Sequence, residues 1–246
     1  MKDIRIFLAA LFIALVFFSC KKDSGNNSGS SFYRPKTYTE TITSSVLGNS
    51  STTYNLTYDA NNRIVSLAPA SSSGNKFIYQ YSNNTYTMDL YNSNVLSIHE
   101  VYFINNLSLV DSTFQYNDTN DSTTEKYFYN SSKQLVKLNE YSYSKVSGGQ
   151  LTNTHNYSYD NAGNVILDVD NSSTRSYTYY SNLKNTLSLG QSYFPQTLNL
   201  AKTTTYSSGG TTITNNQTYT FDSSNRLSTE KDVLSTGDIA MKTYTY

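Results

Sequence analysis

The chain has 246 residues, 18 basic against 18 acidic, with 24 Tyr, 11 Phe, three Pro, one Cys and no Trp. A neutral balance with no basic stripe excludes a nucleic-acid partner, which needs clustered Lys and Arg to meet phosphates. One cysteine excludes an internal disulfide, so stability has to come from packing and backbone pairing.

Lys2, Asp3 and Arg5 precede thirteen apolar residues from Ile6 to Phe18, then Ser19-Cys20-Lys21-Lys22-Asp23. That layout is a secretory signal peptide, and its apolar run is too short to span a bilayer at about 20 residues. Cys20 stands at the expected cleavage point, so the segment resembles a bacterial lipoprotein signal in which this cysteine becomes the lipidated first residue. The acyl chains carried by one such cysteine together provide the two or more anchors that stable attachment requires. Residues 1–19 are thus expected to be removed, with 20–31 a Ser/Gly/Asn-rich tether and 32–246 a single domain. Removing the signal leaves 16 basic against 17 acidic residues.

Period-two patterning runs through the domain: Tyr54-Leu56-Tyr58, Phe77-Tyr79-Tyr81, Tyr86-Met88-Leu90, Tyr157-Tyr159, Tyr177-Tyr179 and Tyr244-Tyr246. Alternation of this kind marks half-buried strands, and Asn/Ser/Asp/Gly clusters between them mark turns. The expected fold is all-β, an antiparallel meander of roughly 14 to 17 strands. A sheet that long has to curl or close, because open twisted sheets rarely exceed about ten strands.

A turn motif recurs within this pattern. It appears as Tyr58-Asp59-Ala60-Asn61-Asn62-Arg63-Ile64, Tyr129-Asn130-Ser131-Ser132-Lys133-Gln134-Leu135, Tyr159-Asp160-Asn161-Ala162-Gly163-Asn164-Val165 and Phe221-Asp222-Ser223-Ser224-Asn225-Arg226-Leu227. Asp59, Asn130, Asp160 and Asp222 suit the opening of a turn, because their side chains can accept from backbone N–H groups two residues on. Asn62, Gly163 and Asn225 suit the position that needs positive φ, and Lys133 is the strained exception there. These residues resemble the tyrosine-aspartate repeats of Rhs-type and teneurin-like proteins. Together with the lipoprotein signal they are similar to uncharacterised bacterial envelope lipoprotein families with a porin-like or curled β-meander fold. That resemblance implies fold and location and no activity.

Catalytic and metal signatures are absent from the pattern. His99 and His155 have no second ligand at metal spacing and are read as strand-face residues. Asp168 and Asp170, two apart on a strand, would lie about 7 Å from each other and are read as a solvated strand end. Asn117 to Asp121 lacks the spacing of a calcium loop and is read as a turn. Asp111-Ser112-Thr113 and Asp121-Ser122-Thr123 resemble short acceptor sequences for protein O-glycosylation. No enzyme activity, cofactor or metal is expected. The expected function is a lipid-anchored, non-enzymatic binding or structural module of the outer membrane, with a glycan or an envelope protein as partner. The alternatives are an integral outer-membrane barrel, suggested by the final Thr245-Tyr246, and a secreted glycan hydrolase, which would need carboxylates converging in a cleft.

Overall fold

The computed structural model describes residues 33–46, 48–71, 74–117, 121–144, 148–187 and 197–246. Cys20, the signal and the tether lie outside these residues, as does the middle of the 117–121 loop. The strands are β1 Thr37–Thr43, β2 Ser50–Tyr58, β3 Ile64–Pro69, β4 Asn75–Tyr81, β5 Thr85–Asn92, β6 Val95–Ile104, β7 Val110–Asn117 and β8 Asp121–Tyr129. They continue as β9 Leu135–Ser144, β10 Gly148–Tyr159, β11 Val165–Val169, β12 Ser173–Lys184, β13 Asn199–Ser208, β14 Thr211–Phe221, β15 Leu227–Leu234 and β16 Ile239–Thr245. Each pairs with its chain neighbours, and β1 pairs with β16, so the meander closes into a sixteen-strand antiparallel barrel. Closure removes the exposed edges on which an open sheet would aggregate.

The meander sorts the connections between two rims. Links from an even strand to the next odd one lie at one end, the near rim, together with Tyr33 and Tyr246. Links from odd to even strands lie at the far rim. All four motif turns are at the near rim, and Asn105–Leu109 between β6 and β7 adds a fifth. In each turn the opening side chain accepts two backbone N–H groups. Asp160 Oδ1 takes those of Ala162 and Asn164 at 2.9 and 2.8 Å, and Asn105 Oδ1 takes those of Leu107 and Leu109 at 2.9 and 3.1 Å. Asp59 and Asp222 also hold Arg63 and Arg226 through their second oxygens. Asn62, Lys133 and Asn225 adopt φ 62°, 62° and 59°, Ser108 φ 59° and Gly163 φ 85°.

Each of these five turns feeds a bulge into its ladder, with the register shifting beside Tyr58, Ile104, Tyr129, Tyr159 and Phe221. A bulge interrupts the alternation of backbone bonds. The carbonyl of the first residue after each turn accepts a tyrosine hydroxyl from the following hairpin. Tyr81 donates to Ile64 at 2.8 Å, Tyr129 to Val110 at 2.7 Å and Tyr159 to Leu135 at 2.8 Å. Tyr179 donates to Val165 at 2.6 Å and Tyr246 to Leu227 at 3.0 Å. A tyrosine at the end of the following even strand thus ties one hairpin to the one before it, and Tyr58 of the first motif donates instead to the Pro35 carbonyl.

Below this rim the inward positions pack as one core cluster containing Tyr38, Leu56, Ile64, Leu67, Tyr79, Tyr86, Tyr102, Val110, Leu227 and Tyr244. Tyr86 and Tyr102 stack with centroids 4.2 Å apart, and Tyr38 stacks on Tyr54 at 5.0 Å. Such pairs add about 0.5–1.5 kcal/mol beyond area burial. The barrel is therefore filled at this end.

Asp160→Ala and Gly163→Val should each lower stability by roughly 1–3 kcal/mol, through lost capping and a forced positive φ. Lys133→Gly should raise it by about 0.5–1 kcal/mol, because glycine relieves the same conformation. Thermal melts of the three variants check both directions. Tyr159→Phe, which keeps the ring and removes only the donor to Leu135, should cost about 1–2 kcal/mol by the same measurement.

Candidate functional site

The inward rows place chemistry two residues above the core. Reading back from the near rim, the even strands from β6 onward carry an aromatic or aliphatic residue, then a tyrosine, then a polar or ionisable residue. The series is Glu100-x-Tyr102-x-Ile104, Glu125-x-Tyr127-x-Tyr129, His155-x-Tyr157-x-Tyr159, Arg175-x-Tyr177-x-Tyr179, Gln217-x-Tyr219-x-Phe221 and Lys242-x-Tyr244-x-Tyr246. Strand alternation puts all three positions on one face, and the register sets these rows side by side around the lumen. All five glutamates of the chain, Glu40, Glu100, Glu125, Glu140 and Glu230, point inward with Asp168 and Asp232. The cations that face them are His155, Arg175 and Lys242.

Two clusters result. In the first, His155 Nδ1 is 3.0 Å from Asp168 Oδ1 and its Nε2 is 3.2 Å from Glu140 Oε1. Arg175 lies 3.7 Å from the other oxygen of Asp168. Glu125 stands opposite Glu140 in register and accepts the Tyr127 hydroxyl, as Glu100 accepts that of Tyr102. In the second cluster Lys242 Nζ is 3.6 Å from Glu230 Oε1, the Tyr244 hydroxyl donates to Glu230 Oε2 at 3.3 Å, and Asn215 donates to Asp232 at 3.0 Å.

Burial decides the charges. It pushes the Glu100 carboxyl up to about 7, although the Tyr102 hydroxyl pulls the other way. Burial alone would lower His155, but its bonds to Asp168 and Glu140 outweigh that and raise it to about 10. Lys242 is raised too, because Glu230, Asp232 and Glu40 outweigh the cost of its burial. Beside the second cluster, between β12 and β15, lies a cavity of about 110 Å³ lined by Tyr177, Tyr179, Asn199, Gln217, Tyr219 and Glu230 among others.

The structure corrects the reading of Asp168 and Asp170. Asp168 is buried at 5% exposure in the first cluster, whereas Asp170 closes the β11–β12 turn by accepting the Ser172 and Ser173 N–H groups at 2.7 and 2.6 Å. The two aspartates therefore serve separate structures. Carboxylates do converge, contrary to the sequence reading, but in the lumen and already joined to Tyr, His and Arg partners. The signal that would have revealed them is the spacing of Glu100, Glu125, His155, Arg175 and Lys242 two residues before a tyrosine. His99 lies on the outer wall, 2.6 Å from Asp89. Among the described residues no group of three His, Cys, Asp or Glu is placed to hold a metal.

The outer wall has the opposite chemistry. On β1 and β2 it presents Thr37, Thr39, Thr41, Thr43, Ser51, Thr53, Asn55 and Thr57, and on β12–β14 it is again mostly Thr and Ser. Hydroxyls pair across strands, as in Thr39–Thr53 at 2.8 Å, Thr57–Ser66 at 2.7 Å, Thr178–Thr203 at 2.6 Å and Thr220–Thr229 at 2.7 Å. Most of the large exposed side chains lie in β6–β10, among them Phe103, Tyr116, Phe128, Tyr143 and Leu151, while Ile166 on β11 and Met241 on β16 lie outside that sector. Within the sector the Tyr143 ring lies over Gly149, where a Cβ would come within 2.2 Å of it.

No family model matches the chain, and no curated protein does. Its fold is that of a porin-like barrel. Among solved structures it is similar to a porin-like protein from Bacteroides uniformis, with a TM-score of 0.61 and 12% identity over 88% of this chain and 99% of that one. A porin-like protein from Bacteroides vulgatus gives 0.59 and 13%, over 87% and 98%. At this identity the likeness establishes the fold alone.

Glu100 binds its proton more tightly folded than unfolded. Its contribution to stability is therefore complete below its ordinary 4.5 and is lost as pH rises through about 7. His155 acts in the same direction, contributing fully below 6.5 and losing that contribution as pH rises through about 10. Glu100→Gln should therefore gain roughly 1–3 kcal/mol over the parent at alkaline pH and little at acid pH, a difference read by melts across pH.

Proposed function

We propose that the chain is a non-enzymatic lipoprotein module of the outer membrane, held there by lipid on Cys20 and offering its wall to a glycan or an envelope protein. The observation that carries this reading is the polarity of the barrel. The hydroxyls of Thr and Ser face out over much of the wall, while every glutamate and the tyrosines of the core cluster face in. A membrane-spanning barrel needs an apolar outer band about 25 Å tall all the way round. A wall whose large exposed side chains lie mostly in the β6–β10 sector suits water better. In that sector Tyr116 and Tyr143 expose rings of the kind that stack on apolar sugar faces. The lipoprotein signal and the resemblance to tyrosine-aspartate repeats support an envelope location. The carboxylates, already joined to Tyr, His, Arg and Lys partners, support the absence of hydrolysis.

The comparisons favour a second reading, an integral outer-membrane barrel, because the fold is similar to that of proteins described as porin-like. Fractionation of Cys20→Ala separates the two. The anchored module predicts a folded, β-rich protein in the soluble envelope fraction. A variant that still resists alkaline extraction from the membrane would establish the integral barrel instead.

A further inference from the structure

The near rim is where the chain enters the barrel. Tyr33 N–H bonds to the Thr186 carbonyl at 3.1 Å, and Arg34 Nε donates to the Asn62 carbonyl at 3.1 Å. Lys36 N–H bonds to the Thr245 carbonyl at 2.7 Å, and the Tyr33 ring meets that of Tyr246 edge-on with centroids 6.2 Å apart. The segment between Cys20 and Tyr33 therefore departs from the plane of the five motif turns. Twelve residues of Ser/Gly-rich chain span about 19 Å on average. A wall of nine-residue strands tilted by about 40° is about 23 Å tall. The far rim is thus farther from the anchor than the segment reaches on average.

Charge agrees with this placement. The near rim carries Arg34, Lys36, Arg63, Lys133 and Arg226 against Asp59, Asp160 and Asp222. Among the described residues the far rim carries Asp121, Asp170 and Asp238 against Lys76, one residue into β4. Arg63 and Arg226 are paired with their turn aspartates, whereas Arg34, Lys36 and Lys133 are exposed. Basic side chains are drawn to an anionic bilayer surface within about a Debye length, and acidic ones are repelled.

The geometry points to the near rim as a membrane-docking surface for anionic lipid headgroups, with the barrel standing on its motif turns and presenting its far rim away from the bilayer. This rests on the anchoring at Cys20. The turns would then have a second role besides folding, since their tips form the docking face.

The test uses full-length protein carrying its lipid, reconstituted in phosphatidylcholine vesicles with or without phosphatidylglycerol. One added cysteine, Ser131→Cys or Ser223→Cys at the near rim or Ser93→Cys at the far rim, takes a donor dye. Energy transfer to headgroup-labelled lipid is then compared, with circular dichroism confirming the β fold of each variant. Docking predicts clearly greater transfer from positions 131 and 223 than from 93. It also predicts that Lys36→Glu with Lys133→Glu narrows the contrast only when phosphatidylglycerol is present. Equal transfer from both rims, or greater transfer from position 93, would overturn the orientation while leaving the anchor intact. Failure of the folded protein to enter vesicles would overturn the anchor and the orientation with it.

Discussion

Closing an antiparallel sheet pairs nearly every strand backbone group, and the loose ends that remain sit where a turn feeds a bulge into the ladder. In this barrel a tyrosine hydroxyl from the next hairpin meets that loose end at Ile64, Val110, Leu135, Val165 and Leu227. An unpaired buried carbonyl costs about 1–3 kcal/mol, so this one contact type decides which residue precedes each turn. The exceptions follow the same rule. Ile104 at the end of β6 and Phe221 at the end of β14 lack a hydroxyl. The hairpin before each has a different connection, residues 82–84 and 185–198, with no motif turn. Tyrosine is present where a motif bulge precedes it and dispensable where none does.

The same period explains the ionisable lumen. An inward tyrosine anchored at the rim fixes the face of its strand, so the residues two and four positions back must also point inward. Glutamate is tolerated there because a neighbouring tyrosine offers it a donor, as Tyr102 does for Glu100 and Tyr244 for Glu230. Burial makes Glu100 and Glu125 harder to ionise, and His155, Arg175 and Lys242 are spaced so that both clusters hold a cation. The lumen is thus a set of paired charges above an aromatic plug, a chemistry that stiffens the wall.

Much of this was legible in the sequence, for a physical reason. Alternation at Tyr54-Leu56-Tyr58 or Tyr177-Tyr179 reports strand and face directly, and the Asp-x-x-Asn/Gly frame reports the turn. The meander and its need to curl follow from those two signals. The fifth turn at Asn105 was missed because isoleucine and serine replace the aromatic and the glycine, although the Asx geometry is unchanged. The lumenal clusters were missed because His155, Asp168 and Arg175 meet across three strands, and local sequence holds no record of register. Asp168 and Asp170 seemed a pair because two-residue spacing implies one face, but β11 ends at Val169 and Asp170 has already turned away.

Fold likeness and wall chemistry answer different questions here. Strand number and closure are set by register and by the need to leave no edge, and water and lipid impose that need alike. What touches the surroundings is set by the alternate positions of each strand, which closure leaves free to vary. Thr39, Thr53, Thr178, Thr203, Thr220 and Thr229 occupy those positions and satisfy one another in cross-strand hydroxyl pairs. Such pairs satisfy their own hydroxyls and leave the threonine methyls to the surroundings. Closure therefore accounts for the absence of a free edge, and the outward threonines set the chemistry that the wall presents.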